Sequence, residues 1–330
     1  MIRICIAGNS GHAATVTRAL PRLPQVEIAG WCRTWTGEPM TEVLDDFAKL
    51  GLSPTEYPDY LTMIDAVQPD VLVVDGMFCD HEAMTCQALA RGIHVYCDKP
   101  LALTLDGLTR VQQAAAASPA LLWAMQTARY DPWFYTAKQL VDADAIGEIR
   151  LLTAQKSYRL GQRAPFFRHR AQHGGLIPWV AIHGIDFIRY LYPHAAKSIF
   201  AHHATVANQG YEDLEVTAQL MMTMENDVCA QVSADYLRPA HAATHGDDRV
   251  RAAGTHGIIE VRGDAVYLIN DKNDGSQPVP LQHPPMIFED FIHTLEGHGS
   301  GLLDLYESLE DSRLALLARE SADTGRIVIA

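Results

Sequence analysis

The first thirteen residues carry the pattern that most restricts how this chain can fold. Ile2, Ile4 and Ile6 alternate with other residues, as in a strand, and the run 8–13 (GNSGHA) leads into a predicted helix at about 12–20. In a strand, tight turn and helix of this kind, the N-terminal amides of the helix face the pyrophosphate of a dinucleotide. The pattern therefore predicts a dinucleotide-binding turn, and the alternative is an ordinary strand–helix turn.

The turn departs from a regular GxGxxG motif. Ser10 stands at the second glycine position and Ala13 at the third, while Gly11 is shifted by one position. Serine and alanine are still small enough to let the backbone approach a cofactor closely. The residues expected to bind the cofactor at this turn are Gly8, Ser10, Gly11 and His12.

Strands and helices alternate from the N-terminus to about residue 125. Predicted strands lie at 26–32, 71–74, 93–97 and 121–125, and predicted helices at 81–91 and 105–117. The run 71–74 is wholly apolar, as is typical of a strand buried on both faces. This alternation predicts an α/β domain with a doubly wound parallel sheet.

Beyond residue 125, consecutive strands replace the alternation. Predicted strands lie at 148–160, 196–207, 214–224, 227–236, 248–254, 257–262 and 265–270. Predicted helices lie at 132–142, 179–191, 285–297 and 304–323, and the polar stretch 271–284 is predicted to be a linker. This pattern favours an α+β domain with a large, mostly antiparallel sheet and helices on one face. A chain of 330 residues usually exceeds one hydrophobic core, so we expect a cofactor domain at 1–125 and a substrate-binding and oligomerisation domain at 126–330.

Composition and charge argue against several classes of function. The formal charge of -14, with no long basic run, disfavours nucleic-acid binding. The N-terminus looks like a strand and not a signal peptide, and no window of about 18 apolar residues suggests a membrane span. Six scattered cysteines without a CxxC pair favour a reduced, cytoplasmic protein. The fifteen histidines include no tight ligand spacing, so we expect no metal site.

The end of the second predicted strand bears on the choice of cofactor. An acid there commonly binds the ribose hydroxyls of NAD, but this chain has Arg33 and Thr34. A guanidinium cannot accept a hydrogen bond, although it can pair with the 2′-phosphate of NADP. We therefore predict NADP as the preferred cofactor, with NAD as the alternative and a solvated surface arginine as the simplest reading of Arg33.

Four segments resemble the Gfo/Idh/MocA (glucose–fructose oxidoreductase/inositol dehydrogenase) family. They are 92–102 (GIHVYCDKPLA), 126–132 (QTARYDP), 174–186 (GGLIPWVAIHGID) and 253–260 (AGTHGIIE). Asp98 stands where the family usually has glutamate. The resemblance extends from residue 2 to beyond 260 and implies a Rossmann domain followed by an α+β domain. It also implies that His81, Asp98, Lys99 and Gln126 bind the cofactor, and that a homodimer or homotetramer forms.

The same resemblance implies that Lys99 and His183 are the catalytic residues. Lys99 would hydrogen-bond the reacting hydroxyl or carbonyl, and His183 would exchange its proton, as an imidazole can near neutral pH. Asp186, three residues after His183, could orient the imidazole or pair elsewhere. Both catalytic groups are expected to meet beside the nicotinamide ring.

One position departs from the family pattern in a way that affects the chemistry. Trp179 occupies the place of the usual aspartate, four residues before the histidine. An indole cannot take a proton, but it can stack on a sugar ring or close the pocket. Either His183 works with Lys99 alone, or another group such as Tyr158 contributes.

A cluster of basic residues precedes the helix that carries His183. It includes Arg163, Arg168 and His169 within the loop 159–173. These residues could bind a carboxylate or phosphate of the substrate or cofactor. Alternatively, they could pair with the acidic surface of a partner subunit.

The predicted activity is reversible hydride transfer between NADP(H) or NAD(H) and a secondary alcohol or ketone of a sugar, polyol or related small molecule. Two alternatives remain open. One is a redox-neutral epimerase or lyase that restores its bound cofactor in each cycle. The other is a cofactor-sensing regulator without catalysis, which the substitution at Trp179 would permit.

Overall fold

The computed structural model describes residues 1–299 and 301–330. The chain folds into two compact units, neither of which is continuous in sequence. The first contains Met1–Gln126, Ala171–His173 and Pro285–Ser312. The second contains Thr127–Arg170, Gly174–Pro284 and Arg313–Ala330.

The strands lie where most of the apolar runs predicted them. In chain order they are β1 (Ile2–Ala7), β2 (Val26–Cys32), β3 (Thr55–Tyr57), β4 (Val71–Val74), β5 (His94–Cys97), β6 (Leu122–Ala124), β7 (Ile149–Tyr158), β8 (Ala196–Ala204), β9 (Thr217–Met224), β10 (Cys229–Asp235), β11 (Gly246–Gly254), β12 (Gly257–Arg262), β13 (Ala265–Asn270), β14 (Asn273–Pro278) and β15 (Val328–Ile329).

The α-helices follow the same numbering along the chain. They are α1 (Ala14–Ala19), α2 (Thr41–Leu50), α3 (Tyr60–Val67), α4 (His81–Leu89), α5 (Leu105–Ala116), α6 (Pro132–Asp142), α7 (Arg170–His173), α8 (Ile182–Leu191), α9 (Ile287–Leu295) and α10 (Leu305–Thr324). A π-helical turn, Ile177–Ala181, leads directly into α8.

The sheet of the first unit is parallel and doubly wound, as predicted. Among the described residues its strand order is β3-β2-β1-β4-β5-β6, and every neighbouring pair is parallel. The strand order reverses direction between β1 and β4. In folds of this kind, ligands bind at the carboxyl ends of the strands next to such a switch point.

Aromatic side chains fix α9 in the first unit. Phe288 and Phe291 lie with their ring centroids 5.1 and 5.3 Å from that of Tyr96, on β5. Trp123, on β6, meets Phe291 edge-on at 5.5 Å. Rings in this geometry add packing energy beyond the area that they bury, so α9 covers this part of the parallel sheet.

The second unit contains the large sheet that the consecutive strands predicted. Over the described residues its order is β14-β13-β12-β11-β7-β10-β9-β8-β15. Neighbouring strands are antiparallel except for β7 and β10, which pair in parallel. Helix α8 packs on β7, β10 and β11, and α6 packs on β12 and β13. The predicted sheet with helices on one face is therefore confirmed.

Two parts of the sequence prediction were incomplete or wrong. The sequence prediction contains no helix or strand between β2 and β4, although this segment holds α2, β3 and α3. The N-cap at Asp59, whose carboxylate accepts from Thr62 N at 2.8 Å, was an available signal for α3. The stretch 271–284 is not only a linker, because β14 pairs with β13 there. Its side chains are mostly exposed, so this edge strand has no alternating apolar pattern.

The helices were also compared with the length and apolarity that a membrane span requires. Over residues 1–299 and 301–330, none of them is long and apolar enough to cross a bilayer.

Candidate active site

The glycines of the dinucleotide turn are required by two aspartates behind it. Gly8 has φ +89°, and a Cβ on it would lie 2.5 Å from the Asp75 carbonyl oxygen. A Cβ on Gly11 would overlap Oδ2 of Asp98. The shifted glycine is therefore explained by a close approach of the Asp98 carboxylate, which the motif alone does not show.

Asp75 holds the turn from the end of β4. Its carboxylate oxygens accept hydrogen bonds from the backbone amides of His12, at 3.1 Å, and Ala13, at 2.8 Å. The side chain is completely buried. Burial, together with the nearby charge of Asp98, raises the pKa of Asp75 well above its usual range. Sequence reasoning missed this residue, although a carboxylate directly after a buried strand was a usable signal.

Asp98 connects the turn to the predicted catalytic lysine. One oxygen, Oδ1, lies 2.9 Å from Nδ1 of His12 and accepts from Lys99 N at 2.8 Å. Burial would raise the pKa of Asp98, but the charges of His12 and Lys99 outweigh it and lower the value to about 2. The pKa values of the two acids are therefore shifted in opposite directions. Asp98 stays ionised, while Asp75 retains its proton to higher pH.

Lys99 lies at the carboxyl end of β5 and is 1% exposed. Its backbone is tied to Asp98, and the peptide bond to Pro100 is cis. A buried ammonium at this edge of a parallel sheet lies where such folds place ligands.

His81 and Gln126, both predicted to bind the cofactor, are buried and bonded to protein groups. The ring nitrogens of His81 lie 2.9 Å from the Pro100 carbonyl oxygen and 3.2 Å from that of Gly76. A neutral imidazole has one N–H and donates to one carbonyl at a time, and burial lowers the pKa of His81. Gln126 Nε2 donates to Asp311 Oδ2 at 3.1 Å. His81 therefore joins the loops that follow β4 and β5, and Gln126 joins the end of β6 to α10.

The end of β2 has an acid after all, supplied by the next loop. Glu38 is 2% exposed, and its Oε1 accepts from Asn9 N and Ser10 Oγ, both at 2.9 Å. Its Oε2 accepts from Thr34 N at 2.7 Å and Thr34 Oγ1 at 3.1 Å. This carboxylate joins the glycine turn to the end of β2. Sequence reasoning missed it because the residue lies outside the usual strand-end position.

Arg33 is not directed toward an open phosphate site. Its guanidinium forms an ion pair with Glu56 on β3, lies 5.0 Å from the ring centroid of Trp31, and donates from Nε to the Glu38 carbonyl at 3.1 Å. The NADP preference predicted from Arg33 assumed a guanidinium available to the cofactor, and the structure shows one already bound to a carboxylate.

A cavity of about 590 Å³ opens beside these residues, at the carboxyl ends of β2 and β3. Its walls include Arg33, Thr34, Glu56, Tyr57 and Asp59. Ligand-binding clefts commonly have about 300–1,000 Å³, so the first unit has room for part of a dinucleotide next to the glycine turn.

In the second unit, His183 is buried on α8, the helix that packs closely on β10. A Cβ on Gly184 would overlap Cγ1 of Val232, so glycine is needed next to the histidine. Asp186, on the same helix, pairs with Arg129. That carboxylate is fully buried, and through Arg129 it supports α8.

Trp179 lies in the π-helical turn before α8 and is almost fully buried. Its indole meets the ring of Phe167 edge-on, with centroids 6.3 Å apart. The tryptophan is therefore an aromatic wall held by its packing.

Tyr158, at the end of β7, belongs to a buried charged group. Lys156 forms an ion pair with Asp248 and a hydrogen bond with Tyr158, and its ammonium lies 4.8 Å from the tyrosine ring centroid. Burial raises the pKa of Tyr158, while Lys156 opposes the shift. The His245 ring lies tilted against the Tyr158 ring, with centroids 5.0 Å apart. Because the net shift in pKa is upward, the Tyr158 hydroxyl keeps its proton and is available as a donor beside Lys156.

The structure separates the basic residues of the loop 159–173. Arg163 lies over the rings of Tyr236, at 4.7 Å, and Phe167, at 5.6 Å, next to Trp179. Arg168 and His169 are exposed and lie 3.9 and 3.8 Å from the Glu212 carboxylate of the same chain. Of the three predicted substrate-binding side chains, Arg163 alone is placed with Tyr236 and Trp179 in the described structure.

Among residues 1–299 and 301–330, no group of three or more His, Cys, Asp or Glu side chains is arranged to hold a metal ion.

Comparisons with solved structures cover the whole chain. A Thermotoga maritima protein assigned as an oxidoreductase is 38% identical, with a TM-score of 0.96 over 100% of both chains. The two proteins therefore share one fold over their full length.

Curated relatives match shorter regions. The YrbE oxidoreductase of Bacillus subtilis is 26% identical over 60% of this chain and 57% of its own length. Inositol 2-dehydrogenase of Pseudomonas fluorescens Pf-5 is 32% identical over 44% of this chain and 41% of its own length. The chain thus spans about half the length of these curated relatives.

Two family models together match most of the sequence. Residues 2–125 match the oxidoreductase family with an NAD-binding Rossmann fold, and residues 134–260 match the Gfo/Idh/MocA C-terminal domain. These matches agree with the parallel sheet of the first unit and the large sheet of the second. The chain belongs to the Gfo/Idh/MocA oxidoreductase family.

Proposed function

We propose that this protein transfers hydride reversibly between a nicotinamide dinucleotide and a secondary alcohol or ketone of a sugar, polyol or related small molecule. The observation that carries the proposal is the link from the glycine turn through Asp98 to Lys99. It fixes the backbone of the buried Lys99 next to the turn that would bind the cofactor. Family membership and the relatives named inositol 2-dehydrogenase support the same substrate class.

The first 125 residues would form the cofactor domain, and residues 126–330 the substrate-binding and oligomerisation domain. Gly8, Ser10, Gly11 and His12 would hold the pyrophosphate side of the cofactor, with the cavity at β2 and β3 as the adenosine site. When bound, the nicotinamide would supply the group that accepts or releases hydride. His81, Asp98 and Gln126 would contribute by fixing the loops around it.

Proton transfer would fall to side chains of this chain. In the oxidation direction, the Lys99 ammonium would stabilise the developing alkoxide and His183 would accept the hydroxyl proton. Asp186 would act as a positioning residue through Arg129. Because Trp179 cannot exchange a proton, Tyr158 is proposed as a further proton carrier, with Lys156 and Asp248 holding it in place.

Aromatic and basic side chains of the second unit suggest how a substrate would bind. Trp179 and Tyr158 would contact the apolar face of a sugar or polyol ring. Arg163 would donate to an oxygen or an anionic substituent. Arg168 and His169, which pair with Glu212 at the surface, are not needed for this role.

We further propose that the open face of the nine-stranded sheet forms a homodimer or homotetramer interface. Phe200 and Met221 are paired across β8 and β9, and both are exposed, at 45% and 66%. Leu151, on β7, is exposed as well. Apolar side chains together on an uncovered sheet face are typical of protein–protein contacts. A monomer by light scattering would contradict this part of the proposal.

The proposed activity is tested by measuring turnover with a panel of sugars and polyols. The absorbance of the nicotinamide reports the turnover. Lys99→Ala is expected to lose most turnover, about 10²-fold or more, while cofactor binding persists. Lys272→Ala, at an exposed turn, is the matched control and should keep full activity. Near-normal turnover in Lys99→Ala would refute the assignment, and product formation without net cofactor reduction would favour a redox-neutral reaction.

A further inference from the structure

The arrangement at the end of β2 bears on which dinucleotide the first unit accepts. It combines three features: a buried carboxylate at Glu38, a guanidinium at Arg33 bound to Glu56, and a cavity lined by Arg33 and by residues 34–37, which directly precede Glu38. All three lie within the first unit, so the inference is independent of the second.

Glu38 places a fixed negative charge at this site. Four donors from Asn9, Ser10 and Thr34 surround its carboxylate. Hydrogen bonds from backbone amides and hydroxyls hold this carboxylate in position. Thr34 and Trp35, which precede Glu38 in the same loop, line the adjacent cavity.

The cavity wall adds more acid than base. Its lining includes the carboxylates of Glu56, Asp59 and Asp80, with Arg33 as its single basic side chain in the described lining. Arg33 is already paired with Glu56, and the two side chains are 38% and 49% exposed. A 2′-phosphate would bring about two further negative charges next to this wall, whereas a ribose hydroxyl brings none.

We propose that the chain selects NAD(H) over NADP(H), with Glu38 excluding the 2′-phosphate by charge and Glu56 keeping Arg33 from binding it. This replaces the preference for NADP that Arg33 suggests when it is considered without its partner. The inference rests on the proposed function, since it assumes that a nicotinamide dinucleotide binds here.

Glu56 gives the sharper test, because it is exposed and can be changed without disturbing the buried Glu38 network. In Glu56→Gln the partner charge is lost, and Arg33 becomes available to the 2′-phosphate. A charge-assisted contact of this kind corresponds to roughly tenfold or more in affinity. The double variant Glu56→Gln/Arg33→Ala removes the cation again and should lose the gain.

The experiment is direct titration of the full chain with NADH and NADPH, read by nicotinamide fluorescence and calorimetry. The wild type should bind NADH at least about tenfold more tightly than NADPH. Glu56→Gln should strengthen NADPH binding by about tenfold with little change for NADH, and the double variant should reverse this. Glu42→Gln, an exposed acid on α2 paired with Arg18, is the control and should change neither affinity.

Two results would overturn the inference. One is a wild type that binds NADPH as tightly as NADH or more tightly; the other is an unchanged NADPH affinity in Glu56→Gln. Either result leaves the proposed function intact, because a dinucleotide still binds. If neither dinucleotide binds, the proposed function fails, and the inference fails with it.

Discussion

Arg129 and Asp186 form a buried ion pair, with Nε of the arginine 2.5 Å from Oδ1 of the aspartate. Arg129 comes from the segment 126–132, and Asp186 lies on α8, three residues after His183. The guanidinium also lies 5.2 Å from the ring centroid of Tyr190 on the same helix. Two of the sequence segments that resemble the family thus meet in one contact that supports the helix carrying the predicted catalytic histidine.

Removing one partner of this pair should be costly. Arg129→Met leaves the Asp186 carboxylate buried without its main cation, and Asp186→Asn leaves the guanidinium without its anion. Each change should reduce the free energy of unfolding by about 3–5 kcal/mol, measured by chemical denaturation. The double variant should lose clearly less than the sum of the two, because both charges of the pair are then removed together. Single-variant losses below about 1 kcal/mol would show that the pair does not support α8.

Gly184 tests how closely α8 packs on the sheet. In Gly184→Ala the new methyl group would overlap Val232, and overpacking of this kind typically costs about 1–3 kcal/mol. In the double variant Gly184→Ala/Val232→Ala, the shorter side chain at 232 makes room for the methyl group. This double variant should therefore have a higher free energy of unfolding than Val232→Ala alone. A single variant as stable as the wild type would mean that α8 can move away from β10 at little cost.

Much of the fold could be predicted from the sequence, for a physical reason. Strands such as β4 are wholly apolar because both faces of a parallel sheet are covered, and this signal is local. The individual roles within the basic loop 159–173 could not be predicted in this way, because its arginines and histidines look alike in sequence. Only folding separates Arg163, over aromatic rings, from Arg168 beside Glu212.

The residues that sequence reasoning missed reach the turn from distant segments. Glu38 bonds to Asn9 across 29 residues, and Asp75 bonds to His12 across 63. Neither carboxylate belongs to a motif, and their roles follow from where β2 and β4 end beside β1. The same distance hid the partner of Arg33, because Glu56 lies on a short strand that was not predicted.

Asp131 should make stability depend on pH. Burial raises the pKa of Asp131 to about 7; Lys156 opposes the shift, while Asp248 and Asp264 add to it. A folded-state pKa above the unfolded value means that the stabilising contribution is present at low pH and is lost as pH rises from about 4 through 7. Relative to the wild type, Asp131→Asn should therefore be more stable at pH 8 than at pH 4, by on the order of 4 kcal/mol.

The matched control for that comparison is Asp271→Asn, in an exposed turn. Thermal unfolding of both variants and the wild type would be followed from pH 4 to 8. If Asp131→Asn and the wild type differ in stability by the same amount at pH 4 and at pH 8, the Asp131 carboxyl has the same pKa in the folded and unfolded states.

Tyr158 should affect proton transfer more than binding. Tyr158→Phe keeps the ring beside Lys156 and His245 but removes the hydroxyl, so we expect kcat to fall about tenfold to a hundredfold. Cofactor affinity should be unchanged, and the pH profile of kcat should lose one of its limbs. Tyr306→Phe, at an exposed position, serves as the control. A normal kcat with an unaltered pH profile would remove Tyr158 from the mechanism.

The central claim is that hydride passes between a carbinol carbon of the substrate and the nicotinamide. It is tested most directly with polyols and sugars that carry deuterium on the reacting carbon, by measuring the label in the recovered cofactor. We predict deuterium on the nicotinamide ring with the wild-type chain and its loss in Lys99→Ala. A cofactor without label, while the substrate is converted or left unchanged, would contradict the account.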